Sequence, residues 1–484
     1  MHMLVMGDFS GRSNRGVTAS TDVGERPLVR IDIDVFDDAL RRLSPSLNIP
    51  GNGNIALRFS HPDDFHPDTL FQNIECFRAL RDIRRRLLDP ATFTQAANDL
   101  RHHTPSPDGI ATTTAAAAKD TPPEESQASM FERLLGKPSQ PTATHGDAHQ
   151  PPVNIDQFIS DLVAPYIVAA TDTSQSHYVA AIDEAISDLM RQLLHHPDFQ
   201  ALEAAWRSVH RLVTQWEGDH VPELYMLDVS KNELHNHIAA AGADLSQTGL
   251  YKRLVEEGIG TLGGEPWSLI IGNYSFNADT QDLQLLAALG AIASQAGGPF
   301  LAAAHPSLVG CRSLIDTPDS RDWTIEDADS VAHWQALRQS SVAQWIGLAL
   351  PRVLLRLPYG KDTDPLEHFD FEEFGAQRDH EAYLWGNPAF ACALLIGMAF
   401  QARGWSMTPG DILDIDDLPV HIYKQDGTKN AMACAEIFLT ERSAHEILNM
   451  GLMPLVSYRN RNVARVLRFQ SIAEPARALA GAWG

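Results

Sequence analysis

WIGLALPRVLLRLPYGKDTDPLEHFDFEEFGAQRDHEAYLWGNPAF, residues 345–390, is apolar at both ends and acidic in the middle. Its two dense blocks, LALPRVLLRLPYG and YLWGNPAF, read as segments shaped to fit one particular neighbour. Nucleophile–base pairs, metal-ligand spacings and phosphate loops do not occur in it. Gly360-Lys361 lacks the upstream glycine and downstream Ser or Thr of a phosphate loop, and Asp362 follows with the wrong sign for phosphate. The stretch therefore reads as the centre of a packing and assembly domain, and the rest of the chain is judged against it.

The 484 residues allow two to four domains, and 44% hydrophobic with 21% charged residues is an ordinary globular balance. The net charge of −24 argues against a nucleic-acid binder, which needs a basic footprint to release counterions from phosphate. Residues 1–99 carry 12 Arg, no Lys and 14 Asp or Glu, so nearly all the acidity lies after them. Cys76, Cys311, Cys392 and Cys434 stand far apart without a CxxC, which predicts buried thiols in a reducing compartment. The first residues lack a basic region followed by a long apolar run, and no stretch reaches about 18 apolar residues, so neither a signal peptide nor membrane insertion is expected. The expected location is the cytoplasm.

Along the chain, 3–9, 28–34 and 55–60 read as strands. Asp34 reads as the cap of the helix VFDDALRRL. A helical region starts at Asp63 or Asp64, keeps Leu70, Ile74, Phe77, Leu80, Ile83 and Leu87 in helical period, and ends before Pro90. Arg78, Arg81 and Arg85 lie on one face of it, either as a solvated face or as a contact stripe for an acidic partner. Residues 100–153 are rich in Pro, Thr, Ala, Ser and His and read as a flexible linker. Within it SMFERLLGK forms an amphipathic island of Met130, Phe131, Leu134 and Leu135. Such an island either docks in a partner's groove or packs back on its own domain. From 154 onward helices and strands alternate as in an α/β core with substantial parallel pairing, and the last strands suggest a mixed sheet with antiparallel edges.

The chemical candidates are weak. Residues 258–263 match GxGxxG, but a helix precedes and a strand follows, the reverse of a dinucleotide site. His235 and His237 are two apart on a helix and point away from each other. His102-His103 and His195-His196 sit at helix breaks and read as solvent or capping residues. His380-Glu381 does not continue as HExxH. Asp411, Asp414, Asp416 and Asp417 lack the spacing and distal Glu of a calcium loop. The expectation is a protein that is not an enzyme and has no cofactor, metal or catalytic residue.

Two sets of blocks carry a resemblance. VMGDFSG (5–11), LRFSHPDDFHPDTLF (57–71) and FRALRDIRRRLLDPATF (77–93) resemble the small sheath subunit of the bacterial type VI secretion system. HPDFQALEAAWRSVHRLV (196–213), LDVSKNEL (227–234), GTLGGEPWSLIIGNYSF (260–276), LALPRVLLRLPYG (348–360) and HEAYLWGNPAFA (380–391) resemble the large sheath subunit. The organisation expected from this is a small-subunit-like region (1–99), a linker with a short helix (100–153) and a large-subunit-like domain (154–484). The expected fold is α/β, with mixed sheets flanked by helices, contractile tail-sheath-like.

The resemblance implies a structural subunit that polymerises around an inner tube protein and contracts to propel it. Its implied partners are other sheath subunits, baseplate proteins and an AAA+ unfoldase, in an assembly docked at the inner membrane. A sheath-binding adaptor that does not polymerise is the alternative. By position, Met130, Phe131, Leu134 and Leu135 would be the unfoldase handle. The terminal strands PLVSYRN and ARVLRFQSI would suit strand exchange between neighbours. The acidic middle, with Asp362, Asp364, Glu367, Glu372 and Glu373, becomes a candidate exposed contact loop, with an ordinary solvent loop as the bland alternative.

Overall fold

The computed structural model describes residues 1–16, 22–50, 54–103, 162–163, 166, 174–216, 220–242, 244–259, 264–325, 327–375, 378–425 and 427–483. The unfoldase-handle candidates Met130, Phe131, Leu134 and Leu135 lie outside these residues. Contacts divide the chain into two compact units, Met1–Arg78 with Asp183–Gly484, and Ala79–Ile182.

The first unit is built on one nine-stranded mixed sheet. Strands, in chain order, are β1 (His2–Gly7), β2 (Val29–Ile31), β3 (Ser46–Ile49), β4 (Ile55–Arg58), β5 (Glu223–Asp228), β6 (Leu269–Phe276), β7 (Phe300–Ala304), β8 (Ile346–Leu350), β9 (Val353–Leu354), β10 (Trp385–Gly386), β11 (Asp414–Ile415), β12 (Ile422–Gln425), β13 (Thr428–Ala431), β14 (Met453–Ser457) and β15 (Ala464–Val466). The order in the large sheet is β11-β15-β14-β8-β7-β6-β1-β5-β2, while β3-β4, β9-β10 and β12-β13 form separate pairs.

The first strand of the chain is interior. β1 runs parallel to β5, from His2 opposite Glu223 to Gly7 opposite Asp228, and parallel to β6 on its other side. β7, β8 and β14 continue the parallel run, and β2, β15 and β11 are antiparallel additions. Strands from both sheath-like regions thus share one sheet.

The apolar runs explain the parallel core. Leu4, Met6, Ile270, Phe300, Ala302, Leu348 and Leu350 pack in one cluster with Leu285, Leu286, Leu289 and Ile292 of the helix Thr280–Ala296. The alternate residues Met3, Val5, Leu269, Ile271, Leu301, Ala303 and Ala349 are buried as well. Strands covered on both faces read as unbroken hydrophobic runs. The helix Pro388–Arg403 packs against β6, β7 and β8 and against the helix Pro197–Gln215. There a Cβ on Gly397 would stand 2.4 Å from the Trp216 ring.

Several expectations change. PLVSYRN and ARVLRFQSI are not sheet edges: β14 lies between β8 and β15, and β15 between β14 and β11, so both rows of their backbone groups face neighbours. Among the described residues the edges are β2 and β11. Residues 434–440 are irregular, because Glu436 sits at φ 55° with its carboxylate turned to Arg352. The helical region after Asp63 breaks at Ile74, which is extended, so Pro67–Asn73 and Glu75–Leu88 are separate helices. Asp34 does not cap its helix; the Asp32 carboxylate accepts from the amides of Asp34 and Val35 instead.

One start signal recurs. His61-Pro62, His66-Pro67, His196-Pro197 and His305-Pro306 each open a helical turn. Proline takes the first helical position, where its missing N–H costs nothing, and the histidine Nδ1 accepts the amide two residues on.

The described residues of the second unit are largely helical. Gln175 Nε2 donates to the carbonyls of Leu87 (2.7 Å) and Leu88 (3.0 Å), Arg86 pairs with Asp99 at 2.6 Å, and Phe93 meets Tyr178 edge-on. All four cysteines are free and buried.

Trp206 ties the first strand to the helix behind it. Its Nε1 donates to the Phe9 carbonyl at 2.9 Å, and its ring meets Phe9 and Phe36 edge-on. Trp206→Ala is expected to lower stability by about 3–5 kcal/mol, read as a lower urea midpoint at unchanged slope.

Candidate functional site

The 345–390 stretch folds as its two apolar blocks suggest. β8 enters the large sheet, β9 pairs antiparallel with β10, and Leu355 N–H donates to the Leu384 carbonyl. The apolar blocks therefore close on each other and hold the acidic segment between them as a loop.

The loop is fixed from inside. Tyr359 and Asp364 form an isolated bridge, Gly360 N–H donates to the Asp364 carbonyl, and Lys361 N–H donates to Glu372 Oε1 at 3.0 Å. It is also fixed from the small-subunit-like region. The Asp68 carboxylate accepts the amides of Glu367 (2.9 Å) and His368 (3.1 Å), and Phe369 stacks on Phe71 at 4.3 Å. Asp362, Asp364, Glu367 and Glu372 remain exposed, so the structure presents four candidate interface carboxylates on an anchored loop.

Glu373 differs. It is 1% exposed and cannot serve as a surface contact. Its carboxylate takes a two-pronged ion pair from Arg356 (2.7 and 3.0 Å) and the Tyr359 N–H (2.7 Å), with His195 Nε2 at 3.6 Å. Arg356 reaches on to Glu203 Oε1 at 3.0 Å, which also accepts from Arg207 at 2.7 Å, and Arg207 donates to the Tyr359 hydroxyl. Burial alone would push the Glu373 carboxyl up, but the guanidinium and the Tyr359 N–H outweigh it and hold it down to about 2. Burial pushes the Tyr359 phenol up to about 12.

The other candidates do not gather at this loop. The helix Glu75–Leu88 carries Arg78 and Arg85 exposed and Arg81 half-buried, with Arg85 paired to Asp82 at 2.9 Å. His235 meets Asp282 and His237 accepts from Leu250 N–H, so they do point apart. Asp411 binds Thr408 while Asp414 binds Arg465, which divides the acidic cluster among separate partners. His380, Glu381 and Glu436 lie close enough for a metal, but Arg352 already bridges the two carboxylates. Among the described residues no helix is long and apolar enough to cross a membrane.

Sequence reasoning missed the groups that join the two sheath-like regions. Asp228, at the end of β5, accepts from Phe9 N–H and from Arg12, and Glu233 pairs with Arg26 at 2.7 Å and with Arg12 at 3.2 Å. The one legible signal was Ser230 with Glu233 three residues on, a capping box that forms as such while its Glu also takes the two arginines.

The family model for VipB (EvpB/VC_A0108, tail sheath N-terminal domain) matches residues 176–473. The chain belongs to the tail sheath family. A second model, type VI secretion system VipA (VC_A0107 or Hcp2), matches residues 1–104, so the sheath chain joins a small-subunit-like to a large-subunit-like region. It is similar to the type VI secretion system sheath protein TssC1 of Pseudomonas aeruginosa, 36% identical over 304 residues, covering 62% of this chain and 61% of that protein. It is also similar to the sheath protein TssB1 of the same organism, 30% identical over 99 residues, covering 19% of this chain and 56% of that protein. The sheath chain thus spans less than two thirds of the length of either relative. These matches are to structural sheath proteins.

Glu373→Gln removes one of the two buried carboxylates that pair with Arg356, leaving Glu203, and is expected to cost about 3–5 kcal/mol at neutral pH. The folded carboxyl titrates at about 2, below the ordinary value near 4.3. Its contribution is therefore full above about pH 4.3 and is lost as pH falls toward about 2. Urea unfolding measured between these pH values should show a shallower pH dependence in the variant than in the wild type.

Proposed function

We propose that this chain is a structural subunit of a contractile type VI secretion sheath, polymerising around an inner tube and contracting to propel it. The observation that carries the reading is the position of β1. A strand from the small-subunit-like region lies between β5 and β6 of the large-subunit-like region, so one chain supplies a joined small–large unit in fixed one-to-one ratio. Shortening of such a polymer draws on interfaces with two discrete arrangements rather than on a cofactor. The open edges β2 and β11 are the places where a neighbour's strand can add.

The proposed partners are other sheath subunits, the inner tube, baseplate proteins and an AAA+ unfoldase, in a cytoplasmic assembly docked at the inner membrane. The anchored acidic loop and the arginines of the helix Glu75–Leu88 are candidate contacts within that assembly. Electron microscopy of the expressed chain, alone and with its partners, should reveal helical tubes. Persistent monomers under all these conditions would favour the non-polymerising adaptor instead.

The amphipathic segment around Phe131, Leu134 and Leu135 is the proposed unfoldase handle. Leu134→Asp should leave tube formation intact and abolish unfoldase-driven disassembly, followed by light scattering. Unchanged disassembly would remove that assignment.

A further inference from the structure

A cavity of about 530 Å³ opens beside the ends of β1 and β5, lined by Ser10, Arg12, Arg15, Arg26, Arg42, Arg58 and Asp228 among others. Five arginines around one cavity are out of character for a chain of net charge −24. The internal carboxylates neutralise two of them: Arg12 and Arg26 are held by Asp228 and Glu233. Among the described residues Arg15 donates only to the carbonyls of Ser10 and Gly11. Arg42 and Arg58 are exposed and have no ion-pair partner among the described residues.

The position of the cavity points the same way. It lies outside the carboxyl ends of two adjacent parallel strands, where open α/β sheets commonly take ligands. Guanidinium forks match the geometry of phosphate and carboxylate oxygens, and several of them together favour more than one negative charge.

We propose that this cavity binds a free multivalent oxyanion of the phosphate class. The site stands on its own geometry and does not depend on sheath contraction.

The test titrates sodium pyrophosphate into the full chain at low ionic strength by calorimetry and follows self-association by sedimentation. It compares the wild type with the double variant Arg42→Gln/Arg58→Gln and with Arg442→Gln, an exposed arginine elsewhere. Saturable binding of one pyrophosphate per chain, weakened by about tenfold or more in the double variant and unchanged in Arg442→Gln, assigns the free anion. Absence of pyrophosphate binding overturns the proposal, and salt-sensitive self-association lost in the same double variant would point instead to carboxylates of a second copy. Equal behaviour of wild type and double variant in both measurements overturns the proposal. Both substituted arginines are exposed, and circular dichroism checks that the fold is retained.

Discussion

The structure depends on β1 being threaded between β5 and β6. Adjacent strands stand about 4.8 Å apart, so withdrawing β1 would open a slot of roughly twice that width. It would also leave the facing backbone groups of both neighbours unpaired in a dry interior, where each unmade hydrogen bond carries the full desolvation cost. The large-subunit-like region therefore cannot complete its own sheet. Phe9, Trp206, Arg12 and Asp228 extend the same dependence beyond the strand, because each links a residue before position 13 to one after position 197.

The buried charges around Arg356 are paired with one another. Glu373, Arg356 and Glu203 are removed from water, yet the guanidinium of Arg356 meets both carboxylates and the backbone. Nearer the surface, Arg352 bridges the exposed Glu381 and the buried Glu436. Such clusters contribute less to net stability than apolar packing of the same volume would, since desolvation offsets most of the attraction. Their effect is geometric, because one register of the chain sets each charge against an opposite one and a shifted register strands it. The Glu436 backbone, held at φ 55° by its bonds to Arg352, shows how strongly that requirement acts locally.

The parts of the fold legible in the sequence are those governed by local pattern. The apolar run at 3–9 declared β1 a strand, and the alternation of helices and strands after residue 154 declared the α/β core. Strand order was not legible, since PLVSYRN carries nothing that distinguishes an edge from a place between β8 and β15. Periodicity cannot see partners distant in sequence, and Glu373 illustrates the limit. In the string DFEEFG it is indistinguishable from Glu372, but one is exposed and the other meets an arginine 17 residues earlier. The His-Pro starts were written in the sequence four times, and in each the histidine before the proline holds the amide two residues on.

The acidic loop brings these constraints together at the surface. It is closed at its base by β9 and β10, pinned at Glu373 inside the core, and held at mid-span by Asp68 through two backbone amides. Asp362, Asp364, Glu367 and Glu372 are thus exposed charges on an ordered backbone. A partner that meets them does not have to order a floppy segment first, and ordering is one of the main costs of forming an interface. Exposed carboxylates of this kind contribute more to steering and register than to raw affinity. Register is what a repeating assembly requires of each contact, because an error at one interface is copied along the polymer. The buried ion pair at Glu373 therefore acts at the surface by fixing the geometry of the loop that the exposed carboxylates occupy.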